Sequence, residues 1–95
     1  MHRFRKQPSE EYSISVDFSE ILKVDETITK ETVTASLGSE DKTTDIIASS
    51  TISDKKIIIK IKDGEHRNTY KLTIVIETSG SNIFEEDILM RVIEI

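Results

Sequence analysis

The chain has 95 residues, of which 36% are hydrophobic and 33% charged, with a net charge of −5 and no cysteine. This length suits one domain with a two-layer core, and the balance of apolar and charged residues is that of a folded soluble chain. The composition excludes disulfide staples and thiolate chemistry, no apolar run approaches the ~20 residues of a membrane-spanning helix, and the negative charge argues against nucleic-acid binding by the body of the domain.

The apolar set is skewed toward branched side chains. There are sixteen Ile and five Val against four Leu and two Ala, and ten Thr besides. Side chains branched at Cβ lose rotamer freedom on a helix and pack well on a pleated sheet. An all-β fold is therefore expected.

Residues 1–9 read as a flexible basic N-terminal arm, in which Arg3, Arg5 and Lys6 surround Phe4 and Pro8 marks the end. The basic start leads into no apolar stretch, so no signal peptide is expected and synthesis and folding are placed in the cytoplasm. The folded domain is expected over 10–95. Residues 11–18 alternate, with Tyr12, Ile14, Val16 and Phe18 inward. A single helical turn capped by Ser19 would tuck Leu22 under the sheet edge, and Asp25-Glu26 forms a polar corner. The second strand spans 27–37, with Val33, Ala35 and Leu37 inward, and Lys30-Glu31 interrupting it as a bulge or edge position. Residues 43–52 read as one strand of unfixed register. In 56–62, Ile57, Ile59 and Ile61 face in and lysines face out.

The longest alternation follows the turn that contains Gly64. Tyr70, Leu72, Ile74 and Ile76 share one face. A Tyr two residues before an inward apolar residue, just after such a turn, is how a late strand of an immunoglobulin-like sandwich often begins. Tyr70 and Leu72 are accordingly read as a structural tyrosine corner. Ser79–Asn82 is a hairpin loop in which Gly80 supplies a positive φ. The last strand, about 84–94, turns Ile88, Met90 and Val92 inward. The sum is an immunoglobulin-like β-sandwich of six or seven antiparallel strands, with a small β-barrel as the structural rival.

Catalytic chemistry is sparse. His2 lies in the arm and His66 in a turn, and the three Gly at 38, 64 and 80 form no phosphate loop. Adjacent acidic residues such as Glu85-Glu86-Asp87 point to opposite faces of a strand, so they cannot converge as the six to eight oxygens of a calcium site must. No enzyme activity, cofactor, metal or small-molecule substrate is expected. Binding is the better category. Ile58, Val75, Leu89 and Ile93 are apolar residues in outward register, and with Phe4 and Lys6 of the arm they are the candidate partner interface. Free strand edges offer a second means of association.

Several short motifs occur in a telling order: Phe4, Lys6 and Pro8; Asp17-Phe18-Ser19; Leu22; Asp25-Glu26-Thr27-Ile28; Val33-Thr34-Ala35; Asp63-Gly64 before Tyr70; Thr78-Ser79-Gly80; and Met90-Arg91-Val92-Ile93-Glu94. In this order the chain resembles the small immunoglobulin-like structural proteins of tailed bacteriophages and prophages. The resemblance implies a non-enzymatic virion component, such as a fibre, decoration or tail-associated protein. It further implies partners that are other virion subunits or copies of itself, and it transfers no catalytic residue. The alternative is a bacterial adhesion or carbohydrate-binding β-sandwich module. Three of the five aromatics look inward, which weakens that alternative. A third option is a small regulatory protein whose basic arm touches nucleic acid.

Overall fold

The computed structural model describes residues 2–95. Eight strands and one helical turn run in the order β1 (His2–Lys6), β2 (Tyr12–Asp17), β3 (Ile28–Leu37), β4 (Glu40–Asp41), α1 (Thr43–Ile46), β5 (Ile47–Ser53), β6 (Lys56–Ile61), β7 (Thr69–Thr78) and β8 (Ile83–Val92). They form a five-stranded sheet of order β1-β8-β7-β3-β4 and a three-stranded sheet of order β2-β6-β5. The protein is all-β with two sheets.

The alternation read along 69–78 sets the centre of the larger sheet. β7 pairs antiparallel with β3 on one side and β8 on the other. Its inner row, Tyr70, Leu72, Ile74, Ile76 and Thr78, is buried. Ile57, Ile59 and Ile61 of β6 are fully buried from the smaller sheet and join the same apolar cluster. Each such isoleucine contributes about 1.5–3 kcal/mol by leaving water. The irregularity expected at Lys30-Glu31 is present as a register shift between Ile28 and Lys30.

Several expectations need correction. Residues 2–6, read as part of a flexible arm, are strand β1; Met1 lies outside the described residues. β1 pairs parallel with β8, so the strands are not all antiparallel, and eight strands stand among the described residues where six or seven were expected. Residues 43–52 are not one strand. The Asp41 carboxylate accepts hydrogen bonds from the Thr43 backbone N–H at 3.0 Å and its hydroxyl at 2.6 Å. That pins a helical turn which buries Ile46 before β5 begins. The turn after β2 is held by Asp17, whose Oδ1 accepts the Ser19 N–H at 2.8 Å, and not by a Ser19 cap. In the last hairpin the positive φ belongs to Ser81 (62°), not Gly80. Gly80 is needed for space instead, because a Cβ there would stand 2.8 Å from Glu26 Oε2.

Two buried polar anchors hold the connections. Glu26 is buried and accepts from the Thr78 hydroxyl, from Asn82 Nδ2 at 2.9 Å and from the Lys23 N–H at 3.1 Å. It thereby ties the corner before β3 to the hairpin after β7. These bonds, the one from Thr78 foremost, hold its carboxyl below the usual glutamate range. The second anchor lies at the opposite end of β7. Gly64 has φ +95°, and a Cβ there would lie 2.7 Å from Val92 Cγ2 and 3.3 Å from the Tyr70 ring. The Tyr70 hydroxyl accepts the Glu65 N–H at 3.0 Å, closing the turn over its own strand.

Two outcomes are expected. Gly64→Ala combines a strained φ with a steric overlap at Val92, so it should lower unfolding free energy by about 1–3 kcal/mol in a urea titration. Glu26 has a depressed folded pKa, so its contribution is complete above the unfolded value of about 4.3 and disappears as pH falls through the lower folded value. The urea midpoint of the wild type should therefore fall more steeply on acidification than that of Glu26→Gln.

Candidate partner interface

The strand alternation that buries Ile88, Met90 and Val92 turns Glu85, Asp87, Leu89 and Arg91 to the outer face of the five-stranded sheet. Register then assigns neighbours. Leu89 lies between Arg3 of β1 and Lys71 of β7, and Arg91 lies between Arg5 and Thr69. Around this corner a hollow of about 400 Å³ is lined by Arg3, Phe4, Arg5, Thr69, Leu89 and Arg91. Three of its six lining residues are arginines. None of the ion pairs among the described residues involves an arginine.

The expected interface residues are not gathered into one patch. Val75 shares the outer face with Leu89, but the Thr73–Asp87 row lies between them and Glu85 stands opposite Val75. Ile58 projects from the outer face of the other sheet, flanked by Ser15 and Thr51. Ile93 follows β8, its N–H donating to the Lys6 carbonyl at 2.9 Å, and lines a small hollow with Arg5, Gln7 and Ile95. Phe4 is half-buried against the core, in register with inward-facing Met90. Lys6 is withdrawn from the surface altogether.

Lys6 is 2% exposed. Its Nζ donates to the carbonyls of Gln7 (2.8 Å), Pro8 (3.2 Å) and Asp63. Burial lowers its pKa, opposed by the negative charges of Asp63, Glu10 and Glu11. The ammonium is a structural pin between β1 and the turn before β7. Reading it as part of a loose arm failed because nothing in the local sequence signals the parallel pairing with β8. The same pairing explains why the arginine cluster was not foreseen: Arg3, Arg5 and Arg91 are 86 to 88 residues apart along the chain in two of the three pairs and meet only through that register.

Other chemistry is thin. Among the described residues no group of three or more His, Asp or Glu side chains could hold a metal ion. His66 is exposed, and its Nδ1 accepts the Glu94 N–H at 2.9 Å. The pairs Lys30–Glu77 (3.7 Å) and Lys60–Glu11 (3.4 Å) are solvent-exposed and contribute little.

Comparison with known families supplies the functional context. The family described as podophage GP4 fiber-tail adaptor protein gp77 has a model that matches residues 6–91. The chain belongs to this family. It is a small tail-associated structural protein of a phage virion, as the order of its sequence motifs implied. Membership in an adaptor family implies contact with other virion proteins. The matched span contains Lys6 and nearly all of both sheets, while Arg3 and Arg5 lie just outside it. No curated protein matches the chain.

The Lys6 pin yields a direct expectation. Lys6→Ala leaves the carbonyls of Gln7, Pro8 and Asp63 without their shared donor, so it should cost about 1–3 kcal/mol of stability. Amide hydrogen exchange should accelerate most in β1 and around Asp63, which a two-dimensional NMR exchange series can resolve.

Proposed function

We propose that the chain is a non-enzymatic adaptor subunit that joins fibre to tail in a phage particle by protein–protein contact. The observation that carries this reading is the family match over residues 6–91. The fold suits the task, since two sheets around an isoleucine core provide a rigid body whose faces and edges are free for partners. No membrane span belongs to this reading: no helix among the described residues is long and apolar enough to cross a bilayer. Nucleic acid is not assigned as a partner either, in keeping with the net charge of −5. The protein would be made in the bacterial cytoplasm and act in the virion.

The scaffold itself is best described as an immunoglobulin-like β-sandwich. The division of strands between sheets, β1-β8-β7-β3-β4 against β2-β6-β5, supports this. So does the Tyr70 hydroxyl bonded to backbone just upstream, with Leu72 fully buried two residues on. The adhesion alternative gains no support from the surface. All five aromatics, Phe4, Tyr12, Phe18, Tyr70 and Phe84, are buried or half-buried, which leaves no stacking platform for a sugar.

Deleting the gene from its phage should give particles that complete head and tail but lack fibres by negative-stain electron microscopy. Expression of the protein in trans should restore them. Deletion particles with a full set of fibres would refute the adaptor reading.

A further inference from the structure

Of the four sheet edges, β1 and β2 are regular strands, and of these two only β1 carries arginines. β4 has two residues, too few to template a long partner strand, and β5 carries a register shift against β6. β1 is a regular five-residue strand whose outer side is open. In a parallel pair, alternate residues direct both backbone groups to the same neighbour. The Lys6 carbonyl accepts from Ile93, so the even-numbered residues of β1 face β8. Arg3 and Arg5 therefore direct their N–H and C=O groups to the open side. Among the described residues, the side-chain bond made there is a long one, from the Tyr12 hydroxyl to the Arg5 carbonyl at 3.4 Å.

Two hollows flank this edge. On the inner side, between β1 and β2, a groove of about 540 Å³ has an apolar part formed by Phe4, Ile14, Val16, Phe18, Ile21 and Ile88, with Asp17, Glu20 and Glu86 also lining it. Ile21 is 51% exposed at its rim. On the outer side lies the arginine-lined hollow over Leu89. Arg3 and Phe4 line both, so the two hollows adjoin the same strand. Charges on an edge strand by themselves guard against aggregation. An apolar groove directly beneath them does the opposite, and the combination selects for one kind of strand.

We propose that β1 is an acceptor edge: an extended segment of a partner protein, alternating acidic and apolar residues, adds to the sheet as a further strand beside it. The partner's backbone pairs with Arg3 and Arg5. Its apolar side chains enter the groove beside Phe4 and Ile14, and its carboxylates meet Arg3, Arg5 and Arg91 on the outer face. Main-chain pairing supplies affinity, and the alternation supplies register and specificity. The unmatched guanidinium groups in a chain of net charge −5 are the reason for assigning an acidic partner. This deepens the adaptor reading by naming the chemistry of one of its contacts.

The test uses the whole chain and a synthetic peptide of about six residues alternating glutamate and valine, titrated to about 1 mM. Binding should protect the amides of Arg3 and Arg5 from hydrogen exchange and should weaken with added salt. The double variant Arg3→Glu/Arg5→Glu should bind the peptide at least about tenfold more weakly and should instead bind the peptide in which lysine replaces glutamate. Four results would overturn the proposal. These are no binding at the highest concentration; binding without protection of those two amides; protection of the same amides by a DNA oligonucleotide but not by the peptide; and self-association through β1, abolished in the double variant. Failure here together with fibreless deletion particles would reject strand addition and leave the adaptor reading intact. Peptide binding together with fully fibred deletion particles would do the reverse.

Discussion

A single ammonium group decides what the N-terminal segment of this protein is. Lys6 places its charge among the carbonyls of Gln7, Pro8 and Asp63, at the end of β1 and under the turn that leads into β7. Burying an amine is unfavourable unless its donors are satisfied, and here all three protons have acceptors. The site is reinforced from below, where Gly64 lets Val92 and the Tyr70 ring close against the same turn. Three parts of the chain remote in sequence are fastened at this point: the start, the β6–β7 connection and the end of β8. With β1 fastened to β8, its arginines lie on a sheet face and its outer edge becomes a defined surface.

The two outer faces differ in a way that bears on function. The smaller sheet presents Ser13, Ser15, Ser49, Thr51 and Ser53 with lysines at Lys56 and Lys60, and Ile58 alone interrupts that polar surface. Such a face is well hydrated and holds little to recognise. The larger sheet carries paired charge in its middle, where Lys71 meets Asp87 at 3.7 Å, and unpaired positive charge at its β1–β8 corner. Arginines without ion pairs are thus concentrated at one corner, where a sheet face, a sheet edge and an interlayer groove meet. For a virion adaptor, a rigid body with one chemically distinct corner is a physically sensible arrangement.

The strands with strict alternation were legible from sequence. β2, β6 and β7 were placed with their inward residues because a period of two has no other structural reading over six to ten residues. The family could also be read, from the order of motifs, although no single motif was specific. What failed has more than one cause. Residues 43–46 look like weak strand, yet a local bond from Thr43 to Asp41 and the burial of Ile46 turn them into a helical turn. Residues 2–6 look like a basic tail, yet they find a partner strand more than eighty residues away. Lys6 looks like a surface cation and is buried. The candidate interface residues Ile58, Val75 and Leu89 lie in outward register, but outwardness on separate strands carries no information about proximity, and the register keeps them apart.

The sequence by itself determined that this is an all-β chain with an isoleucine core and no thiol chemistry, because β-branched composition and period-two alternation act locally and are visible in any window. It also determined which residues of β7 face inward, since one face of a central strand must be apolar. Only the tertiary structure decided that the chain's beginning is an edge strand, that Lys6 is a pin, and that Arg3, Arg5 and Arg91 surround one hollow. Those outcomes depend on the parallel register of β1 on β8 and on a three-carbonyl cage drawn from two distant segments. Neither interaction leaves a local signature, because its energy exists only after the ends of the chain have been brought together.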